Sequence, residues 1–251
     1  MTAPTDTPAY ASPADLDAYG PYGPGRAHTS AGWNRPIYPF QGRIGSREHP
    51  AEAGRYHLYV SWVCPYAHRA VIVRRLKGLE DVISLAYVDD ERDGRGWAFR
   101  ERRGPDPVNG FTFLEQAYEA TEKGYLGHIS VPVLWDRTLG RIVSNHYPDI
   151  TIDLATQWSS GVDLYPSDLR PEIDAINSGL DRRPAPETLE RLDRRLGDRR
   201  HLFGDVITES DVRLWVHLVR LADLSAYPNL SAYARDLHQH PAFADTFEDG
   251  R

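Results

Sequence analysis

The sequence predicts an α/β domain followed by an all-α domain. Three observations carry this. The β-rich run Tyr56-His57-Leu58-Tyr59-Val60 leads into a helical pattern with apolar residues at Ala67, Val71, Ile72 and Leu76. Two further β-rich runs, Ser130-Val131-Pro132-Val133-Leu134-Trp135 and Arg141-Ile142-Val143-Ser144, flank a short turn at Asp136 to Gly140. After Trp158 the β character stops and the chain reads as helices.

In order, the pattern predicts a strand over 56–62, a helix over 65–77 and a strand over 82–88. A long irregular region, 89–129, follows, and then strands over 130–135 and 141–144 and a helix near 148–157. This β-α-β, gap, β-β-α order, with a cysteine after the first strand, is the thioredoxin-like pattern. Pro132 conflicts with an ordinary central strand, because it cannot donate to the ladder. A cis-proline at the strand entrance, or an edge position, resolves the conflict. The region 89–129 is too long for a plain connection. Its aromatics Trp97, Phe99, Phe111 and Phe113, and a helix at 114–122, predict an ordered insertion.

A linker at 159–166 opens the helical half, with helices over 167–177, 186–197, 208–224 and 229–238 and a break at Asp181 to Pro186. Thr208 can cap the third of these, with Asp211 reaching back, so Asp211 is structural. Residues 1–38 are rich in Pro, Ala, Gly, Ser and Thr and read as an extended arm, either a solvated tail or a cover for the site or a partner subunit. The expected division is therefore an arm (1–38), a thioredoxin-like domain (39–158) with its insertion (89–129), and an all-helical domain (159–251).

The 251 residues can bury a real core, and 41% hydrophobic with 26% charged residues is ordinary for a globular protein. A net charge of −7 argues against nucleic acid as a partner. No apolar run reaches membrane-spanning length, and the N-terminus lacks a signal-peptide pattern, so a cytoplasmic location is expected. Lysine is nearly absent beside abundant arginine, alanine and proline, which points to a GC-rich bacterial genome. The ten histidines show no ligand spacing with carboxylates, and no metal is expected. No glycine-rich phosphate loop is present.

Cys64 is the only cysteine, so any redox chemistry is monothiol and the resolving thiol comes from elsewhere. It falls in the strand-to-helix turn Ser61-Trp62-Val63-Cys64-Pro65-Tyr66-Ala67-His68-Arg69, with Pro65 at the first helical position. Helix-start N–H groups and the positive end of the helix dipole favour the thiolate there. The competing reading is an inert buried cysteine. Tyr66 reads as packing, or as a hydroxyl donor to substrate. His68 and Arg69 read as support of local positive potential, or as surface or interdomain salt bridges.

A thioredoxin-like domain followed by a helical domain resembles the glutathione S-transferase superfamily. The details resemble its Xi class, the glutathionyl-hydroquinone reductases. That branch carries Cys-Pro-Trp-Ala-His-Arg, here Cys64-Pro65-Tyr66-Ala67-His68-Arg69. Its Gly-Trp-Gly-Phe element stands as Gly96-Trp97-Ala98-Phe99, its Val-Pro-Val-Leu-Trp-Asp segment at Val131 to Asp136, and its Thr-Glu-Ala-Asp-x-Arg-Leu segment at Thr208 to Leu214. The resemblance covers about 36–178 and 200–245. It implies that Cys64 is the nucleophile, that Val131, before Pro132, pairs with the thiol's cysteinyl backbone, and that Trp97 packs on the bound thiol peptide. It implies an enzyme that displaces a hydroquinone from a glutathione conjugate, and a homodimer.

Two departures bear on substrate. The family's Glu-Ser pair, which grips the γ-glutamyl zwitterion, stands here as His146 and Tyr147. An aromatic, hydrogen-bonding pair suits a neutral, polyhydroxylated group better than a zwitterion. The family's tyrosine-bearing stretches after Ser178 and after Leu224 are missing, so hydroquinone specificity does not carry over. The expected function is a thiol-dependent transferase or reductase that uses Cys64 to cleave or form a thiol conjugate of a small organic molecule. The thiol is glutathione or, given a GC-rich genome, mycothiol. The alternatives are a specialised-metabolism enzyme that adds, eliminates or isomerises through a thiol, and a non-catalytic binding protein on the same fold.

Overall fold

The computed structural model describes residues 9–22, 38–180 and 183–247. The remainder of the expected arm (1–8 and 23–37), Asp181 and Arg182 of the expected break, and 248–251 lie outside the described residues. The elements run α1 (Leu16–Tyr19), β1 (Tyr56–Val60), α2 (Pro65–Leu76), β2 (Ser84–Tyr87), α3 (Glu115–Thr121), β3 (Val133–Asp136) and β4 (Arg141–Ser144). They continue with α4 (Tyr147–Thr156), α5 (Arg170–Ser178), α6 (Pro186–Arg195), α7 (Glu209–Leu218), α8 (Pro228–His238) and α9 (Pro241–Ala244). Two compact units result: residues up to Cys64 with 81–147, and residues 65–80 with those from 148 onward.

The first unit holds a four-stranded sheet in the order β2-β1-β3-β4. β1 runs parallel to β2 and antiparallel to β3, with His57 opposite Trp135 and Tyr59 opposite Val133. All five residues of β1 are buried, as befits a central strand. Its polar member His57 meets the Ser84 hydroxyl at 2.7 Å and stands edge-on to Tyr59. The Val131–Pro132 peptide is cis, and β3 begins one residue later, so Pro132 enters the strand without having to donate to the ladder. β3 is not an edge strand, which decides between the two readings of Pro132.

β4 is one of the two edges, and the chain around Phe40 covers it. The Gly42 amide donates to Val143 O at 2.8 Å and the Asn145 amide to Phe40 O at 3.0 Å. Pairing satisfies an edge that would otherwise template association. A Cβ at Gly42 would lie 2.7 Å from Val143 O, so only glycine fits this approach. Where the sheet meets the β3–β4 turn, buried Asp136 takes two bonds from Arg55, at 2.9 and 2.7 Å, and meets His49 Nδ1 at 3.1 Å. Burial alone would raise its pKa, but Arg55, the Leu139 amide and His49 hold it below the usual carboxylate value.

The insertion is ordered, as its aromatics predicted. Residues 97–99 pair with 112–114 through Leu114 N to Trp97 O and Phe99 N to Thr112 O, each 2.9 Å. The described part of the arm is held against it, so residues 9–22 are not a solvated tail. Ala11 N donates to Phe99 O at 2.9 Å, Arg95 donates to Ser12 Oγ and Pro13 O, and Tyr19 lies under the Arg95 guanidinium at 3.9 Å. Asp93, fully buried, anchors Arg95 and the Asp15 amide. The Arg95 bond is the main reason its carboxyl is held well below the usual range.

In the second unit α2 contacts α7 and α9, and every residue of α7 is buried. The capping box at its start is present, with the Thr208 amide and hydroxyl each donating to Asp211 at 2.7 Å. Buried Glu209 is satisfied by Arg213, Thr151 and Asn177. α7 ends at Leu218 rather than near 224: the chain tightens into three-residue turns (Arg220 N to His217 O at 3.1 Å, Leu221 N to Leu218 O at 3.0 Å), and Asp223 then closes a local turn through the Ser225 amide at 2.7 Å. The short helices α1 and α9 were not expected. Each is a single turn of four residues, too short for a period to register.

Candidate functional site

Cys64 directly precedes α2, in the loop that leaves β1. Three contacts fix this loop. The Cys64 amide donates to Ser61 O at 3.3 Å. The Ser61 hydroxyl donates to Asp90 at 3.1 Å, and Asp90 is clamped by Arg103 at 2.6 Å. Trp62 stacks on Tyr87 with centroids 4.8 Å apart and planes 13° apart. The thiol at the end of the loop is half-buried, and its Sγ lies 3.5 Å from Val131 O. The nucleophile candidate and the residue before the cis-proline, 67 positions apart in sequence, therefore touch.

Tyr118, on α3, orders the segments on which this contact depends. Its fully buried hydroxyl donates to Ser130 O at 2.9 Å, accepts from the Ser130 amide at 3.0 Å and accepts from Asn145 Nδ2 at 3.3 Å. Ser130 leads into Val131 and Pro132, and Asn145 leads into His146 and Tyr147. One hydroxyl thus braces both expected thiol-binding segments.

His146 and Tyr147 stand together with centroids 6.2 Å apart, at the start of α4. Tyr38 completes an aromatic group with them, 5.8 Å edge-on from Tyr147 and 6.2 Å from His146. Trp97 is buried beneath the Arg92 guanidinium, whose carbon lies 3.9 Å from the ring centroid. Tyr22 of the arm packs 6.2 Å from Trp97 and donates its hydroxyl to Ile129 O at 2.7 Å. Burial pushes the Tyr22 phenol up to about 12, so it stays a neutral donor. Gly96 has φ +91° and a Cβ there would meet the Tyr22 ring at 3.3 Å, so this turn needs glycine to place Trp97.

The helix after Cys64 departs from expectation. His68 and Arg69 are not surface groups; both are buried and point into the core that α2 shares with the helices from the second half of the chain. His68 is stacked on Phe247 and edge-on to Trp215, and it bonds Thr246 Oγ1 at 2.9 Å and Arg220 at 3.1 Å. Because Arg220 donates to His68 Nδ1, the proton sits on Nε2, which faces the threonine. Burial, then Arg220, pushes His68 down to about 3, so it is a neutral packing group. Arg69 is fully buried, donates to Leu180 O at 2.7 Å and lies 2.8 Å from His217 Nε2. Its guanidinium sits 5.2 Å from the centroid of half-buried Tyr66. These contacts hold α2 in its core.

Sequence reasoning missed Tyr22, Tyr38, Arg92 and Tyr118. The Tyr-Gly-Pro repeat that holds Tyr22 is a turn signal, and nothing local says which ring it meets. Among the described residues no cluster of histidine, cysteine or carboxylate groups could hold a metal ion, and no helix is long and apolar enough to cross a membrane.

The comparisons bear on this geometry. Residues 63–151 match the glutathione S-transferase N-terminal domain, and residues 171–244 the C-terminal domain. The chain is 36% identical over 235 residues to the glutathionyl-hydroquinone reductase PcpF of Sphingobium chlorophenolicum, covering 78% of this chain and 75% of that one. The crystal structure of the glutathione S-transferase Xi from Phanerochaete chrysosporium superposes with a TM-score of 0.78 at 31% identity, over 86% and 89% of the two chains. The glutathione-bound structure of YqjG, a glutathione transferase homologue from Escherichia coli K-12, has a TM-score of 0.71 at 34% identity, over 79% and 78%. With its thioredoxin-like sheet, its helical second unit and a lone cysteine held against the residue before a cis-proline, this chain belongs to the glutathione S-transferase superfamily, in the Xi-class branch of glutathionyl-hydroquinone-reductase-like enzymes.

Proposed function

We propose that the protein reductively removes a thiol from a small, quinone-derived conjugate, with Cys64 as the nucleophile. The observation that carries this is the Cys64 Sγ–Val131 O contact at 3.5 Å beside the cis peptide. It places the thiol next to a main-chain edge on which the cysteinyl unit of a peptidic thiol can pair. The Cys64 thiolate attacks the sulfur of the conjugate, the carbon–sulfur bond breaks, and the carbon takes a proton to give the free hydroquinone. Cys64 is left in a mixed disulfide. A second thiol attacks it, so that two thiol equivalents leave as one disulfide and Cys64 is restored. Val131 and Pro132 orient the thiol, Trp97 covers it, and His146 and Tyr147 line its far end. Tyr66, His68 and Arg69 support the helix that Cys64 precedes.

Glutathione is the first thiol to test, because the related structures carry it in their names and one is bound to it. Mycothiol has no such support. A second reading, a thiol without a γ-glutamyl group, stays in the assay on one observation: Tyr38, His146 and Tyr147 form an aromatic group where the family has a carboxylate and a small hydroxyl. The test is intact mass after incubation with a glutathionyl-hydroquinone. A Cys64 adduct of one glutathione, lost with excess thiol and absent in Cys64→Ser, supports the proposal. Turnover by Cys64→Ser at the wild-type rate would sink it.

A further inference from the structure

We infer that Asp90 and Arg103 are positioning residues for the Cys64 nucleophile, fixing the loop between β1 and α2 through Ser61 and Trp62. The inference rests on the proposed role of Cys64 and gives two residues of the insertion a part in it.

Sheet geometry brings the clamp to the loop. β1 and β2 run parallel with Val60 opposite Tyr87, so the chains leaving the two strands emerge side by side. The Val88 amide donates to Val60 O at 2.9 Å, which carries the pairing one residue beyond β2. Asp90 then stands within reach of Ser61, whose hydroxyl donates to its Oδ1 at 3.1 Å. Its Oδ2 takes Nε and Nη2 of Arg103, at 3.2 and 2.6 Å. One oxygen therefore serves the loop while the other is held by a guanidinium fork. The backbone on either side is pinned as well: Asp89 N donates to Ala98 O at 2.7 Å, and Arg100 donates to Glu91 O at 2.7 Å.

The same guanidinium meets a second loop residue. Its carbon lies 5.4 Å from the centroid of Trp62, which also stacks on Tyr87. Val63, by contrast, is 41% exposed and gives the loop little packing of its own. The Asp90 and Arg103 side chains are 6% and 9% exposed, so the pair has been taken out of water. Such a pair adds little to stability, because desolvation offsets its attraction. What it supplies here is direction. A carboxylate set by its partner presents one oxygen to Ser61, and Ser61 O in turn accepts the Cys64 amide at 3.3 Å. The thiol's position follows from that chain of bonds, and a misplacement on the order of 1 Å can cost about 100-fold in rate.

The experiment measures two rates on the full chain, each specific because Cys64 is the only cysteine. One is single-turnover formation of the Cys64 adduct with a glutathionyl-hydroquinone, which needs an oriented thiol. The other is alkylation of Cys64 by iodoacetamide, which reads the thiolate without that orientation. Two variants remove the clamp: Ser61→Ala, and Asp90→Asn joined to Arg103→Gln, which leaves the net charge unaltered. Each should slow the adduct step about tenfold at saturating conjugate, with half-saturation and alkylation within about twofold of wild type. Ser61→Thr, which keeps the hydroxyl, should restore most of the rate. Combining all three changes should slow the step little further, since they break one chain of bonds. Adduct rates equal to wild type, or a parallel loss in both reactions, overturn the inference; the parallel loss would mark a general disturbance of the fold. A wild type that forms no adduct sinks the proposed reaction, and the clamp's role with it, so the two failures are distinct.

Discussion

The Tyr118 hydroxyl and the Ser130 main chain are bonded in both directions: the hydroxyl donates to Ser130 O at 2.9 Å, and the Ser130 amide donates back at 3.0 Å. Tyr118 is fully buried. Tyr118→Phe leaves a buried amide and the Asn145 side chain without their partner. It should cost about 1–3 kcal/mol of stability, read from urea denaturation. It should also raise KM for the thiol more than it lowers kcat, because the hydroxyl positions both expected thiol-binding segments. A stability loss with unchanged KM would reduce Tyr118 to a packing residue.

The choice of thiol is testable at two positions. His146→Glu with Tyr147→Ser restores the pair that the wider family carries. If the aromatic group is what departs from glutathione, the double variant should bind glutathione about tenfold tighter, roughly 1.4 kcal/mol. An unchanged glutathione KM would show that Tyr38, His146 and Tyr147 do not set thiol preference.

Acid sensitivity follows from buried histidines in the helical unit, His68 and His217 above all, with His201 also lowered by burial. Burial and then a neighbouring arginine push His68 down to about 3 and His217 down to about 4. Both are neutral when folded, and the unfolded chain takes up protons at each below about pH 6.5. Their contribution is complete above that pH and is lost as pH falls towards 4, by about 1.4 kcal/mol per pH unit for each. Denaturation midpoints from pH 7 to 4.5 should show this slope. His68→Gln should reduce it, and an unaltered slope would contradict the burial argument.

Asp136 tests the sheet's polar anchor. Its partners Arg55 and His49 are themselves largely buried, so Asp136→Ala leaves the Arg55 cation with only its longer, solvent-exposed carboxylate contact to Glu52. The expected loss is about 3 kcal/mol, measured by denaturation. Asp136→Asn, which still accepts a bond from Arg55, should lose less.

Much of this protein was legible in the chain because the signals are local. Strand and helix periods, the proline after Cys64 and the Thr208–Asp211 cap each depend on residues a few positions apart, and the structure keeps these elements, with the α7 end as the main shift. The single cysteine limited the chemistry to a monothiol route before any coordinates. The insertion's order was legible too, from its four aromatics, of which Trp97 and Phe99 are buried and Phe111 and Phe113 half-buried.

What the tertiary structure decided depends on residues far apart in sequence. His68 and Arg69 look like surface charges one turn into a helix. They are core groups because Thr246, Leu180, His217 and Arg220 lie 111 to 178 residues away in sequence and surround them. The Tyr118 brace, the Tyr22–Trp97–Arg92 contacts and the Tyr38–His146–Tyr147 group have the same origin. Local propensity sets where a strand or helix begins. Which hydroxyl meets which carbonyl, and which guanidinium meets which carboxylate, is settled only when packing brings distant segments together and every buried polar group must find a partner.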